Sequence, residues 1–179
     1  MPDPVVGVVM GSDSDLEVMR KAVDVLAEDF GLGCEVRVLS AHRTPDDALE
    51  WSRTAADRGL RVLIAGAGMA AHLPGVLAAV TSLPVIGVPL RGGHLDGLDA
   101  LLAIAQMPPG VPVATVAVDG ARNAGLLAAR VLASSDPQLR GRYDAFRERQ
   151  ADKVRARDER VREQFEHLRE GGADFGFRP

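Results

Sequence analysis

Five short runs of mainly apolar residues mark the chain, at Val5–Met10, Cys34–Leu39, Arg61–Ala65, Pro84–Val88 and Val113–Val118. They are rich in Val and Ile, short and largely continuous, as strands buried on both faces of a parallel sheet are. Between them the apolar spacing changes to three and four. Leu16, Met19, Val23 and Leu26 fall on one stripe within Ser14–Ala27, which predicts an amphipathic helix. Thr44 precedes Pro45, Asp46 and Asp47, the order of an N-cap, a first-turn proline and acids that favour the positive helix end; the helix is expected to run to Arg58. Ala70–Val80, Asp96–Gln106 and Asn123–Ala133 supply three more helical stretches, the first and last rich in small residues suited to close packing. Strand and helix alternating about five times predict an α/β sandwich with a parallel sheet and helices on both faces.

The pattern changes at Asp136. Residues 136–170 carry 10 basic and 9 acidic side chains, against 10 basic and 15 acidic in residues 1–135. This shift marks a catalytic α/β domain over 1–135, a C-terminal helical arm over 136–170 and a frayed tail over 171–179. The arm reads as one or two helices, with Leu139, Tyr143 and Phe146 on one stripe and Val154, Val161, Phe165 and Leu168 on another. A solvated helix with cancelling charges explains the polar faces. A stripe that lies on a neighbouring subunit explains the apolar ones better, because an isolated narrow stripe needs a partner surface.

At 179 residues the chain suffices for one domain with a core, and its 46% apolar share excludes disorder throughout. A net charge of -4 argues against a nucleic-acid binder with a broad basic surface. With 4% aromatics there is little to stack nucleic-acid bases or sandwich a flavin. Cys34 is the single cysteine, so no internal disulfide or cysteine metal cluster forms; a reducing, cytoplasmic location is expected. No apolar run is long enough for a membrane span, and Met1 to Pro4 holds an acid and no basic segment, unlike a signal peptide. His42, His72, His94 and His167 show no metal-ligand spacing, so no metal is expected. Walker A and Gly-x-Ser-x-Gly signatures are absent.

In a parallel α/β sheet, ligands bind beyond the carboxyl ends of the strands, where strand order reverses. Three strand exits are chemically loaded. Gly11-Ser12-Asp13-Ser14-Asp15 joins a glycine to a helix start whose amides suit phosphate; Ser12 and Ser14 add hydroxyls, and Asp13 and Asp15 can accept from a sugar. Simple capping by Ser and Asp accounts for the same residues. Ser40-Ala41-His42-Arg43-Thr44-Pro45 offers a proton carrier in His42 and a planar fork for phosphate or carboxylate in Arg43. A surface His-Arg pair before a capped helix is the alternative. The third exit, Ala65 to Gly75, has almost no side chain before His72, so a flat ring can lie on its backbone. Tight strand–helix packing explains it equally, and His72 is then structural. Gly66 to Ala71 also fits a dinucleotide fingerprint, but it follows the third strand and no acid stands about twenty residues on. Pro89–Gly97 reads as a mobile loop over the same crevice, and the proline-stiffened Gln106–Pro112 as its side wall.

Together, Gly-Ser-Asp-Ser-Asp, Ser-Ala-His-Arg-Thr-Pro and Ala-Gly-Ala-Gly-x-Ala-Ala-His-Leu-Pro-Gly resemble the PurE family of purine biosynthesis. The likeness continues through Pro84–Pro89, Gln106–Pro108 and Pro112–Ala117 to Asn123, and is similar to the class I branch. It implies a flavodoxin-like three-layer sandwich, a homo-octamer with C-terminal helices reaching neighbours, and a reaction without cofactor. The reaction implied is conversion of N5-carboxyaminoimidazole ribonucleotide to 4-carboxy-5-aminoimidazole ribonucleotide by decarboxylation, retention of carbon dioxide and recarboxylation at carbon 4. By this resemblance His42 is the general acid and base, Ser12 and Arg43 hold the phosphate and Asp15 the ribose. Asp13, Ser14, Ser40, Ala41, Gly66, Ala67, Gly68, Ala71, His72 and Leu73 complete the substrate site. Hand-over of the carbamate from the ATP-dependent enzyme that forms it is an open partner expectation. Met69 stands where the family usually has Gly. The covering loop lacks the common serines near Asp96 and Ala100 and carries His94 instead. Direct carboxylation of aminoimidazole ribonucleotide by carbon dioxide, and a non-catalytic module that holds a phosphorylated ligand, are the alternatives.

Overall fold

The five apolar runs form one sheet in a computed structural model that describes residues 3–170, with side chains through Glu166. The expectations for Met1, for Leu168 of the arm stripe, for His167 and for the tail 171–179 lie outside the described residues. The strands are β1 (Pro4–Met10), β2 (Gly33–Val38), β3 (Val62–Gly68), β4 (Val85–Leu90) and β5 (Ala114–Thr115). All four pairings are parallel, in the order β2-β1-β3-β4-β5. This is the flavodoxin-like order, and its reversal between β1 and β3 opens a crevice at their carboxyl ends.

Alternate residues of the central strands feed two cores. Val6, Val8 and Met10 of β1 and Val62 and Ile64 of β3 face α1 (Leu16–Phe30) and α5 (Ala121–Ala133). Val9, Leu63 and Ala65 face the layer of α2 (Pro45–Arg53), α3 (Leu73–Ala78) and α4 (Leu98–Ala105). Burial of every residue of β4, and of β3 up to Ala67, explains their lack of polar alternation. Cys34 packs at the edge of the first core, where burial pushes its thiol up to about 11. It therefore stays protonated near neutrality and is no nucleophile.

Several boundaries differ from the expected ones. Strand β3 continues to Gly68, because Ala67 and Gly68 pair with Pro89 and Leu90 of β4. Helix α3 consequently starts at Leu73 rather than Ala70. The apolar run at Val113–Val118 yields only two paired residues, although the Val116 amide still donates to the Gly87 carbonyl at 3.1 Å. Helix α2 stops at Arg53 instead of Arg58, and the chain turns through Gly59 at φ +90. Thr44 makes no side-chain cap. Its hydroxyl accepts instead from the Ser40 amide at 3.0 Å.

The arm is one helix, α6 (Pro137–Glu170). Asp136 caps its start by accepting from the amides of Gln138 and Leu139 at 2.9 and 3.0 Å. Tyr143 and Phe146 then pack on Phe30, each with ring centroids 5.6 Å away. Beyond this anchor the helix runs on with Val154, Val161 and Phe165 exposed. No helix among the described residues is long and apolar enough to cross a membrane.

Candidate functional site

The exits of β1, β2, β3 and β4 enclose one cavity of about 530 Å³ above the reversal in strand order. On the β1 side, Ser12 caps the short 3-10 turn Asp13–Asp15 that leads into α1. The Ser12 side chain accepts from the Ser14 amide at 3.3 Å, and Asp15 Oδ2 accepts from the Ser12 amide at 3.1 Å. The Ser14 hydroxyl donates to Ser12 Oγ at 2.9 Å. This reciprocal capping box fixes Ser12, Ser14 and Asp15 on the cavity wall. Burial pushes the Asp15 carboxyl above its ordinary value, against the pull of the Ser12 amide and Ser14 hydroxyl. Capping and a position on the cavity wall thus coexist in the same residues.

On the β2 side, the Ser40 hydroxyl accepts from the amides of His42 and Arg43 at 3.3 and 3.2 Å. The Thr44 amide donates to the Ser40 carbonyl at 2.9 Å, closing the turn. Ser40 thereby holds the backbone that presents His42 and Arg43 to the cavity, and Ala41 lines it with them.

The β3 exit supplies the floor. Ala67, Gly68, Ala71, His72 and Leu73 all line the cavity. Gly66 does not, because it faces the other layer: a Cβ there would lie 2.5 Å from Met19 Sδ. Its glycine serves packing under α1. Asp13 is likewise absent from the cavity lining, and its Oδ1 accepts from the Ser12 hydroxyl at 3.2 Å. The dinucleotide reading of Gly66–Ala71 also falls away, since its first three residues lie inside β3 and no helix starts until Leu73.

Met69 and Ala71 both adopt left-handed backbone, at φ +57 and +45. A non-glycine residue there costs about 1–2 kcal/mol. The turn is tied by the Ala71 amide donating to the Gly68 carbonyl at 3.0 Å. Its result is the placement of His72 over the crevice, where Nδ1 lies 2.8 Å from Nε2 of His42, with the rings edge to face. A bond between two ring nitrogens needs one protonated and one bare nitrogen, so the pair shares a single proton on that line. Sequence spacing, thirty residues apart, gave no sign of this pairing.

Arg91 and Gly92, just past β4, close the fourth side. The covering segment was expected there, but Arg91 was not singled out. A charged residue directly after a buried strand was the signal that could have found it.

The family model described as AIR carboxylase matches residues 5–153. The chain belongs to this family. Curated relatives in the AIR carboxylase family include the N5-carboxyaminoimidazole ribonucleotide mutase of Mycobacterium leprae, 62% identical over 87% of this chain and 90% of that protein. The protein of the same name from Mycobacterium tuberculosis is 63% identical over 87% and 88%. That from Pyrococcus abyssi is 58% identical over 81% and 83%. Among solved structures, Treponema denticola PurE superposes with a TM-score of 0.79 at 28% identity, covering 88% of this chain and 98% of that one. A singly substituted PurE2 from the same organism gives 0.81 at 25% identity, with 89% and 99% covered. The resemblance drawn from the three strand exits therefore holds, as does the flavodoxin-like fold it implied. Residues of α6 beyond position 153 lie outside the family match.

Proposed function

We propose that the chain is an enzyme of purine biosynthesis that converts N5-carboxyaminoimidazole ribonucleotide to 4-carboxy-5-aminoimidazole ribonucleotide. The observation that carries this reading is the His42–His72 pair above a floor of backbone, facing a serine-capped anion cradle in the same cavity. Ser12 and Arg43 hold the phosphate, Asp15 the ribose, and the ring lies on Ala67–Gly68. His42 delivers its proton to the exocyclic nitrogen. The nitrogen–carboxyl bond breaks and its electrons stay on nitrogen, releasing neutral carbon dioxide into the crevice. Carbon 4 then attacks the trapped carbon dioxide, and the proton displaced from carbon 4 returns to His42. One proton leaves and one comes back, so no redox or metal partner enters the balance. The substrate takes the place of His72 at His42 Nε2, and His72 closes on that nitrogen again when the product leaves.

His42→Asn is expected to lower kcat by about 10²–10⁴-fold, the usual worth of a general acid–base group, while ribose 5-phosphate binds as before. Normal turnover by that variant removes His42 from the mechanism, and no single turnover by the wild type leaves only a ligand-binding module. Product formed from aminoimidazole ribonucleotide and bicarbonate, with none from the carbamate, assigns direct carboxylation instead.

The same reading extends to assembly as a homo-octamer. Leu95, Leu98 and Leu102 form an exposed aliphatic patch along α4 and the turn before it, and Val154, Val161 and Phe165 a second along α6. Exposed apolar surface of this kind needs a partner, and copies of the chain fit the family resemblance. Delivery of the carbamate by the enzyme that makes it belongs to this proposal, as does a cytoplasmic site of action.

A further inference from the structure

We infer that Arg91 is a specificity residue: its guanidinium recognises the carboxylate at the base end of the nucleotide, exchanging an internal aspartate for it. The inference rests on the phosphate placement proposed above. The charged side chains that line the cavity, histidines aside, are Asp15, Arg43 and Arg91. Arg43 follows β2 and Arg91 follows β4, so β1 and β3 separate their strands, roughly 14 Å at three strand spacings. The substrate is also anionic at two separated points, the phosphate and the carbamate carboxylate. With the phosphate at Ser12 and Arg43, the second cation faces the second anion.

Arg91 is anchored at its backbone and loosely held at its tip. Its amide donates to Asp119 Oδ1 at 2.9 Å, and the Asp119 amide donates to the Pro89 carbonyl at 2.8 Å, so Asp119 clamps the end of β4. The guanidinium Nε lies 3.1 Å from Asp96 Oδ1 and 3.7 Å from Asp119 Oδ2. The Arg91 and Asp96 side chains are 64% and 75% exposed. An ion pair so open to water is worth little, and a planar carboxylate can replace it through two parallel N–H···O bonds. Asp96 sits at φ +50 between Gly93 at +63 and Gly97 at +91. Arg91 holds the substrate and product carboxylates. It has little grip on neutral carbon dioxide, so between them it returns to Asp96.

The test compares calorimetric binding of 4-carboxy-5-aminoimidazole ribonucleotide with that of the decarboxylated aminoimidazole ribonucleotide. Arg91→Gln is expected to weaken the carboxylated nucleotide about tenfold and leave the other within about twofold, the difference being one charge-assisted contact. Asp96→Asn, which removes the competitor, is expected to tighten only the carboxylated nucleotide, by about threefold. Equal weakening of both nucleotides by Arg91→Gln, no change in either, or an Asp96→Asn variant that binds no tighter overturns the assignment. Arg43→Gln tests the underlying placement separately. It is expected to weaken both nucleotides and ribose 5-phosphate alike, and intact ribose 5-phosphate binding overturns that placement and with it the role of Arg91.

Discussion

Asp15 carries two demands that pull against each other. Its carboxylate closes the capping box on Ser12 and, in the proposed function, accepts from the ribose, yet burial disfavours its charge. The sign of the pH effect follows. A carboxyl whose folded pKa is raised contributes most below its unfolded value, and that contribution is lost as pH rises through the folded value. Ionised Asp15 is therefore a net cost at pH 7. Asp15→Asn retains an acceptor for the Ser12 amide and removes the charge. Its melting temperature at pH 7 is expected to match or exceed that of the wild type, with the gap closing as pH falls below the carboxylate range. The same variant should lose about tenfold or more in kcat/KM, the worth of a hydrogen bond to a charged group. A lower melting temperature at pH 7 would contradict the desolvation cost. Met69 and Ala71 show the same exchange of local stability for placement, since their left-handed turn sets His72 beside His42.

At the scale of elements, α1 and α5 meet through a glycine. A Cβ on Gly125 would stand 2.5 Å from Val25 Cγ1 and 2.8 Å from the Ala22 carbonyl oxygen. Gly125→Ala forces the helices apart at a cost of about 1–3 kcal/mol, which outweighs a helix-propensity gain of up to about 1 kcal/mol. Gly141 in α6 has nothing within 4 Å of its would-be Cβ, so Gly141→Ala should keep the propensity gain and melt higher. Thermal unfolding of the two variants must therefore move in opposite directions, and a shared direction refutes the packing argument. These pairs also explain what could be read in advance. The strands were legible because β1, β3 and β4 are largely buried on both faces and hold no charged or polar side chain. The end of β3 was not, because Gly66 and Gly68 read as a loop until Met19, 2.5 Å from a Cβ on Gly66, and the Leu90 carbonyl, 3.3 Å from one on Gly68, show how closely these glycines are packed. The meeting of the three loaded strand exits at one cavity was legible. The pairing of His42 with His72 was not, since it depends on a strained turn and on the neighbouring of β2, β1 and β3.

At the scale of the whole molecule, the arm divides at its anchor. Leu139, Tyr143 and Phe146 belong to the main core, whereas Val154, Val161 and Phe165 are exposed. A chain ending at Lys153 keeps the anchor and loses the distal stripe. Under the assembly proposed here it should fold with near-native circular dichroism per residue and dissociate at about tenfold higher protein concentration than the full chain in a light-scattering dilution series. Identical mass at every concentration rules out the distal stripe as a contact between subunits. The cavity floor has a different consequence. Under the proposed placement of the ring on Ala67–Gly68, peptide groups rather than side chains meet it, and point mutation has almost nothing there to alter without breaking β3 itself. Drift in ligand preference, whether in natural lineages or in the laboratory, is then confined to the rim, where Met69 and Arg91 can be exchanged while the sheet beneath stays the same.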